Sequence, residues 1–332
     1  MRIEEPMIYL GKDDLKELLN MGEAIQLVEK GFLQLYQKKV EMPARSVLSS
    51  PFYDGSLLYM PVLIKDDPPL FVTKIITVYP RNQELFGQAA LNGFLALFDA
   101  ENGLPLAIME ASFLTAIRTG AAGGVALKYL ARNDSRVATL FGVGPQGRMQ
   151  LEAACTVLNL EKCFVISNQD PREDNFAQEM AERLGLNIVI TEDKKTAIES
   201  SDLILAATTS RVPLFDGSWL QPGTHITAIG SFKPEVRELD SETIKRSKVF
   251  VDNLPAAKEE AGDLIIPIQE GIITWEKVAA EIGEVIADDK KGRENAQEIT
   301  VFKSVGLAVQ DAVVAKGVYL KAIRLNSGLK LL

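Results

Sequence analysis

The residues of this sequence with chemistry to offer are three cations and one glycine-rich turn. Lys74 lies in Phe71-Val72-Thr73-Lys74-Ile75-Ile76-Thr77-Val78, where strand alternation puts it on one face with Val72, Ile76 and Val78. A lysine on an apolar face is partly desolvated. Desolvation lowers its pKa and makes it a usable proton donor or acceptor. Alternation alone also fits an edge lysine that snorkels to solvent. Arg45 follows Met42-Pro43-Ala44, and Arg118 precedes the small-residue run Thr119-Gly120-Ala121-Ala122-Gly123-Gly124. Arginines beside a crevice can clamp a carboxylate, while each alone also fits a surface ion pair. Joined to Lys74, they would make a cationic pocket for a small anionic substrate.

The glycine-rich turn is Gly142-Val143-Gly144-Pro145-Gln146-Gly147, between an apolar strand at 137–141 and a helix. This is G-x-G-x-x-G in the strand–turn–helix context of a dinucleotide site. Gly142 allows the tight turn, Gly144 leaves room for a pyrophosphate, and Gly147 lets helix and strand pack closely. Pro145 and Gln146 open the helix, whose N–H groups and dipole favour phosphate. A turn without a ligand is the bland alternative. The second strand ends in Ser167-Asn168-Gln169-Asp170-Pro171-Arg172. Asn168 stands where an acidic residue would accept from the ribose 2′-OH and repel a 2′-phosphate. Asn168 does not repel phosphate and Arg172 can attract it, which favours NADP(H), with NAD(H) as the other choice. Asp170 could serve a ribose hydroxyl or cap the next helix. Thr208 ends the fourth strand and Gly230-Ser231 the fifth, positions that suit nicotinamide and ribose contacts. Thr209 and Ser210 fit ordinary turn chemistry equally.

These residues need elements to position them. Helical spacing of Ile25, Val28, Phe32 and Leu35 predicts a helix over 12–39. From 45 to 110, short apolar runs at 57–64, 70–78, 94–98 and 105–109 are separated by turn signals, which predicts an antiparallel sheet. Ser112 can cap a helix running to about Ala131, and its glycines predict close backbone approach to another element or a ligand. Strands predicted at 137–141, 163–167, 187–191, 203–207, 225–230 and 248–252 alternate with helices. The fold class is therefore α/β, a Rossmann-type doubly wound parallel sheet plus an α+β domain. The domain boundaries expected are 118–304 for the dinucleotide-binding part, and 1–117 with 305–332 for the other. An apolar helix over 305–323 would return to the first domain.

Composition removes other classes. The 332 residues carry a formal charge of -9, so a general nucleic-acid surface is not expected. Cys155 and Cys163 form no CxxC and read as core thiols. The single histidine, His225, begins a strand, at the end away from the ligand crevice, and reads as structural. No metal site is expected. The most apolar stretch, 111–131, contains Arg118 and Lys128, so no membrane span is expected. Met1-Arg2-Ile3-Glu4-Glu5-Pro6 lacks a leader pattern, and the expected location is cytoplasmic.

Several short motifs fall in an order that resembles one family over nearly the whole chain. They are Met42-Pro43-Ala44-Arg45-Ser46, Val72-Thr73-Lys74, Ile117-Arg118-Thr119-Gly120, Gly142-Val143-Gly144-Pro145-Gln146, Gly230-Ser231-Phe232-Lys233-Pro234 and Arg237-Glu238-Leu239-Asp240. Glu281-Ile282-Gly283-Glu284-Val285 and Thr300-Val301-Phe302-Lys303-Ser304-Val305-Gly306 complete the set. The sequence resembles the ornithine cyclodeaminase/mu-crystallin family. The resemblance implies a homodimer whose first domain binds substrate and forms the interface. It implies that Arg45 and Arg118 hold the substrate carboxylate, that Lys74 stands beside the reacting C–N bond, and that Thr119 joins the cofactor-binding residues. Cyclodeaminases of the family resemble each other in an aspartate where this chain has Phe232, so the resemblance points instead to reduction of cyclic ketimines. Relatives often carry alanine at Gly147, which implies that a methyl there is harmless. The expected activity is NAD(P)H-dependent reduction of Δ1-pyrroline-2-carboxylate or Δ1-piperideine-2-carboxylate to L-proline or L-pipecolate. The alternatives are an alanine or opine-type dehydrogenase, an ornithine cyclodeaminase, and a non-catalytic NADP-dependent ligand-binding protein.

Overall fold

A computed structural model describes residues 6–331. The chain divides into two compact units, one running to Arg118 and resuming at Ala308, the other Thr119–Leu307. The second boundary falls later than the sequence places it because Asp252 accepts the N–H groups of Val305 and Gly306, both at 3.0 Å.

The first unit is built on a mixed sheet. Its order is Leu329–Lys330, Ile8–Leu10, Pro105–Glu110, Leu91–Asp99, Leu70–Val78, Gly55–Ile64 and Val40–Glu41, with Ser46–Ser50 also paired to Gly55–Ile64. The long central strands are antiparallel. Alternation sorts their side chains: Leu58, Met60, Val62, Ile64, Leu70, Val72, Ile76, Leu95 and Leu97 are buried, while Leu57, Tyr59, Phe71 and Phe94 stay exposed. The buried face is covered by the C-terminal helix Ala308–Leu325, against which Met21–Tyr36 packs. The two helices approach closely because Gly31 yields to Val313, whose Cγ2 would lie 2.9 Å from an added Cβ. The single N-terminal helix expected over 12–39 is two, Lys12–Leu18 and Met21–Tyr36. Asn20 restarts the chain with a capping box: its side chain accepts from the Glu23 N–H, and Glu23 accepts from the Asn20 N–H.

The second unit is an eight-stranded parallel sheet. Its order is Asn187–Thr191, Lys162–Ile166, Val137–Phe141, Leu203–Ala206, His225–Ala228, Thr300–Lys303, Lys248–Val251 and Val278–Glu281. Apolar clusters cover both faces, which is why these strands read as continuous apolar runs. Two strands were not expected from sequence, Thr300–Lys303 and Val278–Glu281. Thr300–Lys303 has only two apolar residues, Val301 and Phe302, before its closing lysine, so it offers too short an apolar run to read. The chain runs outward in both directions from Val137–Phe141 and Leu203–Ala206, so their carboxyl ends form the switch point where this fold places ligands.

Candidate active site

Lys74 stands mid-sheet, opposite Met60 on one neighbouring strand and Leu95 on the other. It is 1% exposed, so it is not a snorkelling edge residue. Its Nζ donates to Asp311 Oδ2 at 2.6 Å. Arg118 Nε donates to Asp311 Oδ1 at 2.9 Å, and its Nη1 donates to Gln310 Oε1 at 2.6 Å. Gln310 and Asp311 belong to the first turn of the C-terminal helix, which carries them onto the lysine's face of the sheet. Arg118 is therefore a buried member of a network and not a surface cation. Removing these charges from water is costly, and Asp311 compensates two cations at once.

Burial pushes the Lys74 ammonium down to about 7. The Asp311 carboxylate opposes that fall, while the charges of Arg118 and Arg45 add to it. Half-buried Arg45 thus stands near enough for its charge to act on the lysine. The three cations read from sequence come together within the first unit. The carboxylate that organises them was missed. Its signal was present: Asp311 is the sole acidic residue in the apolar run 305–323.

The turn residues fall in the second unit. Gly142 has φ +98°, a left-handed conformation, and an added Cβ would overlap the Ala207 carbonyl oxygen. A Cβ at Gly147 would overlap the carbonyl oxygen of Gly142. This corrects the expectation that alanine there is harmless: in this chain the turn and helix are packed too tightly for a methyl. At Gly144 an added Cβ would meet nothing within 4 Å. The helix Pro145–Val157 begins at Gly144 with no side chain capping it, so its first N–H groups are offered outward. Open space over Gly144 and an uncapped helix start fit a dinucleotide pyrophosphate. Gln146 keeps a buried Oε1 without a hydrogen-bond partner among the described residues. Thr119 is buried, and its carbonyl accepts from Gln150 Nε2 at 2.8 Å. The small residues that follow have a packing cause, since a Cβ on Gly120 would lie 2.6 Å from the Met149 carbonyl oxygen.

After the second strand, Glu173 folds the loop. It accepts from Ser167 Oγ, from the Asn168 N–H and from the Asp170 N–H. Arg172 donates to Asp170 through Nε at 2.8 Å and Nη2 at 2.5 Å. That guanidinium holds the Asp170 carboxyl down at about 2. Asp170 is thus a fixed anion at the strand tip, and Arg172 is its partner.

The ends of the fourth and fifth strands are tied by Glu238, a fully buried carboxylate that the motif reading quoted without assigning a role. Its Oε1 accepts from the N–H and Oγ1 of Thr208 at 2.7 and 2.8 Å, and its Oε2 from the N–H groups of Gly230 and Ser231 at 2.7 and 3.2 Å. Ser231 Oγ donates to Asp263 at 2.5 Å, and Asp263 pairs with Lys303 at 2.7 Å. The donors of Thr208, Gly230 and Ser231 are therefore committed to shaping this end of the sheet. Elsewhere, burial pushes His225 down to about 3, between Thr300 and Thr227, and pushes the Cys155 and Cys163 thiols up. Among the described residues no group of three or more His, Cys, Asp or Glu could hold a metal, and no helix is long and apolar enough to cross a membrane.

Comparison with known proteins gives three kinds of match. The model of the ornithine cyclodeaminase/mu-crystallin family matches residues 5–325. A Δ1-pyrroline-2-carboxylate reductase of Bacillus cereus is 37% identical over 326 residues, covering 98% of this chain and 99% of its own. The structure of the Thermococcus litoralis Δ1-pyrroline-2-carboxylate reductase in complex with NADH and L-proline matches with a TM-score of 0.94 and 43% identity, covering 98% of this chain and 100% of the other. An archaeal alanine dehydrogenase dimer with bound NAD matches with a TM-score of 0.91 and 36% identity, covering 98% of this chain and 99% of its own.

Proposed function

The chain belongs to the ornithine cyclodeaminase/mu-crystallin family, and on that premise we propose that it reduces cyclic imino acids with a nicotinamide cofactor. Δ1-Pyrroline-2-carboxylate, giving L-proline, is the substrate we put first, and the six-membered Δ1-piperideine-2-carboxylate belongs to the same class. The observation that carries this reading is the buried Lys74–Asp311–Arg118 cluster, beside the similarity to two reductases of that name.

The substrate is a planar ring with a carboxylate next to a C=N bond. Arg118 and Arg45 would hold the carboxylate, which sets the ring's orientation and removes a positioning cost. An imine accepts hydride at carbon only when its nitrogen is protonated or hydrogen-bonded. Lys74, held near neutrality, can donate that proton and regain it from solvent. Asp311 keeps enough of the lysine charged to act as an acid, and it cannot itself approach as a competing anion while bound to two cations. A nicotinamide, when bound, supplies the hydride. Gly142, Gly144, Pro145, Gln146 and Thr119 are the residues we assign to it, with Thr208, Gly230 and Ser231 shaping its far end through Glu238.

The expectation of NADP(H) rested on Asn168 and Arg172. With Arg172 bound to Asp170, the strand tip presents an anion to the 2′ position, and we infer that NADH is the better cofactor. The outward apolar residues of the first unit's sheet are assigned to a homodimer interface, the assembly named for the archaeal neighbour.

Incubation with Δ1-pyrroline-2-carboxylate and NADH should consume both in equal amounts and yield L-proline by chiral chromatography. If proline does not form and pyruvate with ammonia yields alanine, the alanine dehydrogenase reading replaces this one; the archaeal neighbour is the observation that favours it. Ammonia release from ornithine is not expected, since Phe232 offers no carboxylate to the distal amine.

A further inference from the structure

Gln310 has a buried amide whose two ends are treated differently. The residue is 1% exposed. One end meets Arg118 Nη1 at 2.6 Å. A guanidinium can only donate, so that end must be the oxygen. The nitrogen is thereby turned the other way, and Nε2 is buried with no hydrogen-bond partner among the described residues. A buried amide N–H₂ without an acceptor is costly, and such a group in a native fold calls for an explanation. The other side chains of the cluster do not supply one. Lys74 and Arg118 are donors, and Asp311 makes its hydrogen bonds to those two and none to Gln310 Nε2. What is missing is an acceptor, most simply an anionic one, beside a cluster in which Lys74, Arg118 and Arg45 against Asp311 leave two positive charges when Lys74 is protonated.

We propose that Gln310 is a substrate-binding residue, whose Nε2 donates to the carboxylate of the imino acid alongside Arg118 and Arg45. The inference deepens the reading of the site given above and rests on it. Gln310 then has two tasks at once: Oε1 fixes the Arg118 guanidinium, and Nε2 completes the carboxylate's hydrogen bonds. The amide adds no charge, so it reads the carboxylate without further depressing the lysine.

Two variants separate this role from that of a brace. Gln310→Glu keeps an acceptor for Arg118 but replaces the donor with an anion; Gln310→Met keeps the length and removes both. The readout is the calorimetric Kd for L-proline in the presence of NADH, with the Kd for NADH alone as the control for folding. A carboxylate contact predicts that both variants weaken L-proline by about 10- to 100-fold, the glutamate more than the methionine, with NADH binding unchanged. A brace predicts that the glutamate binds proline as well as the parent does, and that result would overturn the assignment. Failure of the parent protein to bind L-proline would instead overturn the imino acid reading, and this assignment with it.

Discussion

At the scale of single residues, the reaction proposed for this chain depends on a lysine being a weak base. Lys74 owes that to its strand position, which buries it among Met60, Leu95 and Val72, and to two arginines whose charges oppose its own. The one anion in the cluster, Asp311, limits the effect. Replacing Lys74 with alanine leaves Asp311 paired to Arg118, so the site keeps its framework and loses its acid. Lys74→Ala should lower kcat for imine reduction by about 10²–10⁴-fold, with a smaller change in KM. Steady-state kinetics on the purified variant check this, and undiminished kcat would remove Lys74 from the chemistry. The lysine was legible in the sequence because period-two alternation places it among apolar residues. Its partner was not, because Lys74 and Asp311 lie 237 positions apart, and no local pattern joins a strand to a helix at that distance.

At the scale of elements, two strand-to-helix turns define what the second unit can hold. The glycine-rich turn was read correctly as a turn, since strand, glycines and helix follow one another in sequence. The demand on Gly147 was not legible, because it depends on where the carbonyl of Gly142 points. The next turn shows a different limit. Asn168, Asp170 and Arg172 were all visible as candidates, yet their roles depend on which of them bind each other. The structure ties Arg172 to Asp170 and gathers the loop onto Glu173, and the preference for NADH proposed above rests on that pairing. The ratio of kcat/KM for NADH to that for NADPH should exceed one. Asp170→Ala removes the anion and releases Arg172, so the same ratio should fall by about tenfold. A parent enzyme that prefers NADPH would show that Arg172 leaves Asp170 for the phosphate. Thr300–Lys303 illustrates the opposite case, a central strand with an apolar run of only two residues that is fixed by parallel pairing on both sides.

At the scale of the whole molecule, the first unit leaves apolar surface that a monomer would not be expected to expose. Leu48 is 70% exposed, Phe52 91%, Tyr53 75% and Phe86 70%. Side chains of this size in one unit call for a covering partner, and a second copy is the partner we assign. Light scattering should give about twice the chain mass of 36.4 kDa, and Leu48→Glu should shift the protein toward a single-chain mass. A monomeric parent protein would contradict the assignment. The net charge of -9 describes none of this chemistry. It is a sum over the whole chain, whereas the cations that matter are few and are buried or half-buried.

The proposed reaction requires Lys74 to act as an acid near neutral pH, and the pH dependence of kcat/KM for Δ1-pyrroline-2-carboxylate reduction reports on that proton. The protonated lysine is the active form, so kcat/KM should fall as pH rises through about 7. Asp311→Asn removes the charge that holds the lysine up, so the falling limb should move to lower pH in that variant. The ionisation of the substrate itself is the same for both proteins and cannot produce such a shift. A falling limb at the same pH in both, or no fall between about pH 6 and about pH 9, would contradict the assignment of the proton to Lys74.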